Sequence, residues 1–192
     1  MNTMSTTTLI IIASVIVIAI VAVAFVAMGL FRKRHSRQLR TKFGGAEYDR
    51  TLQQGDGRRK AEAGLDQRTD RVESLNIRPL GSADRARFVD AWSRVQSRFV
   101  NGPGGAVTEA DQLLSDVMLA RGYPVSAFEQ RAADISVDYP LVLQNYRSAH
   151  ASALRQTHGQ ASTEELRQAM ISYRTLFDEL VGAPEIARAQ SA

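Results

Sequence analysis

The sequence predicts an all-α protein with one N-terminal transmembrane helix, a charged helical stalk and a small C-terminal helical bundle of about five helices. Three observations lead to this prediction. An uncharged apolar run lies near the start of the 192-residue chain, a strongly charged stretch follows it, and the remainder has apolar residues at helical spacing. No segment has the alternation of apolar and polar residues that is typical of a half-buried strand.

The run from Leu9 to Phe31 is 23 residues long and contains no charge, Pro, Asn or Gln. As a helix it spans roughly 34 Å, which is enough to cross a hydrocarbon core of about 30 Å. Fifteen of its residues are Leu, Ile, Val or Phe, and the insertion of these side chains into a bilayer is favourable. We therefore predict a transmembrane helix at 9–31, preceded by a short extracytoplasmic tail at 1–8. A cleaved signal peptide is the alternative, since Ala-Val-Ala at 22–24 resembles a processing site.

Six basic residues follow the apolar run within eleven positions, whereas residues 1–8 carry none. A secretory signal has its positive charge before the apolar region, so this asymmetry disfavours cleavage. By the positive-inside rule it places the N-terminus outside the cell membrane and the C-terminal domain in the cytoplasm, with the opposite orientation as the alternative. The six side chains are also candidate contacts for anionic lipid headgroups, although a topology signal alone accounts for them. They are Arg32, Lys33, Arg34, Arg37, Arg40 and Lys42.

The segment 32–78 is predicted to be a basic juxtamembrane segment and a helical stalk. It carries 13 basic and 7 acidic side chains, whereas 79–192 carries 11 basic and 13 acidic. The near-neutral distal half disfavours nucleic acid as a partner, because phosphate binding needs a dense basic face. Within 58–75 apolar residues are few, and four of them lie near a and d spacing, which indicates a solvated stalk or a weak association helix. These four are Ala61, Leu65, Val72 and Leu75.

The segment 79–182 is predicted to be the bundle domain, followed by a flexible tail at 183–192. Five amphipathic helices are expected, each with one apolar face and a residue that favours a helix start. Two of these starts, at Ser126 and Ser162, have a Glu three residues later and so predict capping boxes. The last helix has the clearest apolar stripe in the chain. The five predicted starts are Ser82, Thr108, Ser126, Pro140 and Ser162.

The residues that carry chemistry are sparse. The chain has no cysteine and three histidines, which excludes thiolate zinc sites, iron–sulfur clusters and a cysteine nucleophile. His150 and His158 lie about 80° apart around one predicted helix, so they are poorly placed to share a metal and are expected at the surface or a helix end. Known phosphate-binding, serine-hydrolase and zinc-protease motifs are missing from the sequence. We therefore expect no catalytic residue, cofactor or metal, and a protein that is not an enzyme.

Three blocks of the sequence suggest a resemblance. They are Phe-Gly-Gly-Ala-Glu-Tyr-Asp-Arg at 43–50, Arg-Gly-Tyr-Pro at 121–124 and Phe-Glu-Gln-Arg-Ala-Ala-Asp at 128–134. They resemble the recurring blocks of uncharacterised single-pass bacterial membrane proteins that have one C-terminal helical domain. The resemblance implies a bacterial source and the same layout. It brings no known activity and no site residue.

Taken together, these features favour a membrane-tethered, non-catalytic protein-interaction module on the cytoplasmic face of a bacterial membrane, with an unknown protein partner. The alternative is a peripheral contact between the basic segment 32–59 and anionic lipid or nucleic acid, with the bundle as a structural domain. These two hypotheses differ in how strongly binding depends on salt and on the charges of that segment. A third interpretation is a small-molecule sensor with a pocket between helices.

Overall fold

The computed structural model describes residues 6–182, except 56 and 125 and the side chains of 6–14 and 17. The predicted tail at 183–192, and residues 1–5 of the predicted N-terminal tail, lie outside the described residues. Within the described ranges all regular structure is α-helical, which confirms the all-α fold class and the helical bundle. The helices are α1 (Thr6–Lys42), α2 (Gly44–Gln54), α3 (Arg58–Ser74), α4 (Ser82–Phe99), α5 (Pro103–Arg121), α6 (Phe128–Asp138), α7 (Pro140–Thr157) and α8 (Thr163–Gly182).

The chain divides into two compact units, with the boundary between Thr41 and Lys42. In the first unit, α1 presents eleven large apolar side chains between Val15 and Phe31 that are exposed. Among the residues that were described, no helix is long and apolar enough to cross a membrane. Part of the predicted span 9–31 lies outside this set, since the side chains of 9–14 and 17 are not described. The transmembrane part of the fold prediction is therefore unsupported.

The five helices predicted for the bundle are confirmed as α4 to α8. The last of them, α8, packs against α4, α5 and α7, and its predicted apolar stripe is buried from Leu166 to Leu180. Trp92 of α4 stacks on Phe177 of α8 with the ring centroids 4.7 Å apart. Because an apolar stripe on each helix must be covered by a neighbour, the pattern in the sequence is sufficient to define this part of the core.

The start of α5 differs from the prediction. The helix begins at Pro103, five residues before the expected start at Thr108. Proline is well suited to the first helical turn, where its missing amide proton needs no partner. Thr108 instead lies inside the helix, where its hydroxyl donates a hydrogen bond to the backbone carbonyl of Gly104 at 3.2 Å. The glycines after Pro103 are thus helical and are not part of a long loop.

Of the two predicted capping boxes, one is confirmed and one is wrong. At α8 the Glu165 amide donates to Ser162 Oγ at 3.2 Å, and the Ser162 amide donates to Glu165 Oε2 at 2.8 Å. At α6 the N-cap is Ala127, not Ser126, and no side chain caps the helix. The predicted partner, Glu129, makes ion pairs with residues of other helices instead.

The packing of α2 and α3 corrects the expectation of a solvated stalk. α2 packs against α3 and α7, and α3 packs against α6. Of the four apolar residues at a and d spacing, three are buried: Ala61, Leu65 and Val72. Tyr48 of α2 is also buried, and its hydroxyl donates a hydrogen bond to Glu62 Oε1 of α3 at 2.6 Å. The a and d spacing therefore marks a face that contacts the bundle of the same chain.

The junction between α5 and α8 is held by a buried arginine. Arg121, at the end of α5, donates hydrogen bonds to the backbone carbonyls of Arg78 at 3.3 Å and Leu180 at 3.0 Å. The next residue, Gly122, has a backbone φ of +99°, which residues with a side chain rarely adopt. A Cβ atom at this position would also collide with the backbone of Asn76. The segment after α3 is therefore held closely against the C-terminal end of α5.

We predict that Leu65→Ala lowers the free energy of unfolding of the bundle by about 2 to 4 kcal/mol, because it removes a fully buried side chain. Trp92, the single tryptophan, reports on the distant α4–α8 contact through its fluorescence. The measurement is urea unfolding of the full-length protein in mild detergent. Gln67→Ala, at an exposed position of the same helix, is the control and should stay within about 0.5 kcal/mol. If α3 were a separate stalk, both variants would leave the Trp92 transition unchanged.

Candidate binding cleft

A cleft of about 530 Å³ opens between α2, α6 and α7 in the second unit. Its α7 wall consists of residues three and four positions apart, which lie on one face of the helix. α2 contributes one arginine, and the first turn of α6 contributes an aromatic ring and a carboxylate. The side chains that define the cleft are Arg50, Phe128, Glu129, Arg147, His150 and Leu154.

Five charged side chains form a network along this cleft. Glu47 of α2 is only 4% exposed, and its Oε1 accepts hydrogen bonds from Arg68 at 3.0 Å and from Arg147 at 3.3 Å. Its Oε2 lies 3.9 Å from Arg50. Glu129, by contrast, is 71% exposed, and its carboxylate lies 2.8 Å from Arg147 and 3.8 Å from Arg50. Arg50 and Arg147 are therefore shared between one buried and one exposed carboxylate.

Two further features make the cleft attractive to an anion. The N-terminus of α6, where the helix dipole is positive, is not capped by a side chain. Arg147 is 10% exposed, and its Nη1 donates to the exposed carboxylate of Glu129, so that this charged donor is within reach of a ligand in the cleft.

Beneath the cleft lies a second polar cluster, in the interior of the bundle. His150 Nδ1 lies 3.5 Å from Asp111 Oδ1, and Arg131 lies 3.6 Å from the other carboxylate oxygen. Burial alone raises the pKa of Asp111, but the contacts with His150 and Arg131 lower it more, so that the net pKa lies below its ordinary value. The ring of Phe128 stacks on His150 with the centroids 3.6 Å apart. His150 thus connects the cleft to the interior.

This position of His150 corrects the expectation of a histidine at the surface or a helix end. Its imidazole is largely buried, because Asp111 lies on one side and Phe128 covers its face. His158 follows the prediction, since it is the exposed C-cap residue of α7. The part of the chain covered by the structure contains no group of three or more His, Asp or Glu residues able to hold a metal ion. The expectation that the protein is not an enzyme stays a prediction.

The six basic residues predicted to contact lipid are all exposed. Five of them lie on α1 in the first unit, and Lys42 begins the second unit, where its Nζ is 3.8 Å from Glu73. Further along the predicted basic segment, Arg58 lies 3.6 Å from Glu62, and Arg50 belongs to the cleft network. The basic segment 32–59 is therefore not a uniform charged surface, because several basic residues of its later part are paired with acidic side chains.

The cleft itself was not predicted from the sequence. Glu47 and Arg147 are 100 positions apart, and each lies among polar residues that resemble an ordinary solvated helix face. The one available signal was that Glu47 precedes Tyr48, an aromatic residue in an otherwise polar segment. Such a residue indicates that part of the segment is covered.

Comparison with known proteins identifies no matching family model, no similar curated protein and no similar solved structure. The resemblance to single-pass bacterial membrane proteins therefore stays a hypothesis.

We predict that the bundle loses stability above pH 10 and that Tyr173→Phe reduces this loss. Burial, and then the charge of Asp111, raise the pKa of Tyr173 in the folded protein, whereas the unfolded value is about 10. Only the unfolded state ionises just above pH 10, so the stability present below that pH falls as the pH rises. The measurement is the free energy of unfolding at pH 8 and pH 10.5.

The control for this prediction is Gln67→Ala, which changes an exposed side chain without a titratable group. It should lose as much stability between pH 8 and pH 10.5 as the wild type, because the same tyrosines ionise in its unfolded state. An unchanged loss of stability between the two pH values in Tyr173→Phe would contradict the prediction.

Proposed function

We propose that this protein is a membrane-tethered, non-catalytic interaction module that presents its helical bundle on the cytoplasmic face of a bacterial membrane. The observation that carries the proposal is the pairing of two different surfaces in one chain. α1 has a long exposed apolar surface, and the second unit is a compact bundle with a charged and aromatic cleft. The apolar surface of α1 favours insertion into a bilayer, and the cleft favours the binding of a partner.

The tether is supported by the side chains of α1. Exposed apolar side chains in this number are rare on a monomeric soluble protein and typically mark contact with a membrane or another protein. The exposed basic residues from Arg32 to Arg40 follow the apolar residues directly, as in the cytoplasmic flank of a single membrane span. Fixing the bundle at a membrane raises its effective concentration for partners on the same surface, so that modest affinity is sufficient.

The interaction role is supported by the composition of the cleft. Arginine and aromatic side chains are enriched at the centres of protein interfaces, and here Arg147 and Phe128 both line the cleft. Leu154, on the same face of α7, is 54% exposed. An apolar side chain beside preorganised charges provides both the buried area and the orientation that a specific contact needs.

The first prediction from this proposal concerns topology. A fluorescent protein that is active in the cytoplasm, fused after Ala192, should fluoresce in a bacterial host, and a phosphatase that is active only after export should remain inactive. The reason is the basic flank after α1, which resists translocation. The protein should also stay in the membrane fraction after alkaline carbonate extraction. Phosphatase activity without fluorescence, or full extraction by carbonate, would contradict the proposed placement.

The second prediction concerns the cleft. A photo-crosslinking amino acid at position 154 should give a discrete protein adduct in living cells, because Leu154 lies in the cleft that we propose to contact the partner. Position 171 is the matched control, since Ile171 is 47% exposed and does not line the cleft. Equal adducts at both positions, or none at 154, would argue against an interaction through this cleft.

A second candidate function is contact between anionic lipid and the six exposed basic residues. The observation in its favour is that these side chains are all accessible, and each basic residue near an anionic surface contributes about 1 kcal/mol. Substituting Lys33, Arg37 and Arg40 by Gln should then reduce the retention of phosphatidylglycerol by the purified full-length protein. If the bundle is the functional part, the same substitutions leave the adduct at position 154 unchanged.

A further inference from the structure

We propose that the cleft between α2, α6 and α7 binds a peptide segment of the partner in which a carboxylate side chain lies beside a bulky apolar side chain. This inference rests on the proposed interaction function and names the chemistry of the partner. The charges, the exposed carboxylate and the apolar wall of the cleft favour such a segment.

The charges of the network favour an incoming carboxylate. Three guanidinium groups, those of Arg50, Arg68 and Arg147, contact two carboxylates, those of Glu47 and Glu129. Of the side chains that line the cleft, Arg50 and Arg147 are cationic and Glu129 is acidic. The lining of the cleft therefore carries a surplus of positive charge with Glu129 in place.

Glu129 occupies the position that a carboxylate of the partner would take. Its side chain is 71% exposed, so that water can take over its contacts and a ligand can displace it at little cost. Glu47 is different, because it is buried and its removal would leave Arg68 and Arg147 without their main partner. A ligand therefore replaces Glu129 and leaves Glu47 in place.

Arg147 offers the incoming carboxylate the donor that Glu129 holds in the free protein. Its Nη1 contacts Glu129 and its Nη2 contacts Glu47, so a ligand that replaces Glu129 binds Nη1 and leaves the contact with Glu47 in place. Hydrogen bonds from a guanidinium to a carboxylate are charge-assisted and are stronger than neutral ones. The positive end of the α6 dipole, at Ala127, favours the same charge.

The apolar part of the ligand is expected to lie on Phe128 and Leu154. From Arg147 to Leu154 the α7 face is about 10 Å long, at 1.5 Å per residue, which is the reach of a few extended residues. Phosphate would also bind arginine, but its second negative charge would be repelled by Glu47, and it offers nothing to the apolar wall. A peptide also fits better than a small metabolite, because half of the residues lining the cleft are exposed, whereas small-molecule sites enclose most of their ligand.

The test uses the full-length protein in phosphatidylcholine nanodiscs and fluorescence anisotropy. The probe is a fluorescein-labelled peptide Gly-Ser-Leu-Glu-Phe-Gly with an amidated C-terminus, so that its peptide portion has a single carboxylate. The matched peptide has Gln in place of Glu, and empty nanodiscs correct for binding to lipid. We expect saturable binding of the Glu peptide and affinity for the Gln peptide at least about 10-fold lower, since hydrogen bonds to charged groups contribute about 1.5 to 3 kcal/mol.

Three variants test the role of the charges. Glu129→Gln should bind the Glu peptide about 2-fold to 5-fold more tightly, because it removes an internal competitor for the two arginines. Arg50→Gln should weaken binding about 10-fold or more, through loss of a charged hydrogen bond. Arg167→Gln is the control, at an exposed arginine paired with Glu164 on α8, and should bind like the wild type.

The outcomes separate this inference from the proposed function. Equal affinity for the Glu and Gln peptides, or unchanged or weaker binding in Glu129→Gln, overturns the inference. If Arg50→Gln does not fold, the Glu129→Gln result still decides, because a merely structural role for Glu129 cannot tighten binding. An adduct at position 154 together with no binding of either peptide overturns the carboxylate chemistry and leaves the interaction function in place. Binding of the Glu peptide without any adduct at position 154 supports the carboxylate chemistry and overturns the proposed interaction in the cell.

Discussion

The ion pairs of the buried Glu47 carboxylate are the interaction on which the second unit depends most. It lies on α2 and contacts arginines of α3 and α7, so that one charge connects three helices. A buried charge costs several kcal/mol unless it is paired, and breaking such a pair is strongly destabilising. Any arrangement in which α2 or α3 left the bundle would separate these groups. The polar surfaces that suggested a solvated stalk are thus the surfaces that hold it against the bundle.

The cleft follows from the same interaction. Because Glu47 fixes Arg147, the guanidinium faces the space between α6 and α7 before any ligand arrives. A long side chain held in this way loses little conformational entropy on binding, which is the usual advantage of a preorganised site. Arg147 therefore contributes to stability through Glu47 and to recognition through its remaining donors. In the free protein the exposed Glu129 accepts the hydrogen bond of Arg147 that a ligand would otherwise accept.

The sequence was informative where one local pattern determines a helix and its buried face. The stripe of α8 and the capping box at Ser162 are patterns of this kind, and both are present in the structure. The stalk was different, because α3 has few apolar residues and its charges resemble those of a solvated helix. Partners of two of these charges lie on other helices: Glu47 pairs with Arg68 from 21 positions away, and Asp134 pairs with Arg71 from 63 positions away. Local composition cannot distinguish a charge that faces water from one that faces a distant partner.

The same limit explains why His150 was misplaced at the surface. Its neighbours in sequence are small or polar, and the residues that cover it, Asp111 and Phe128, come from two other helices. Once placed, it connects the cleft to the buried cluster of Asp111 and Tyr173. A ligand that rests on Phe128 also fixes the ring that stacks on His150. Since a ligand that binds only the folded state stabilises it, occupation of the cleft and order in the interior of the bundle should increase together.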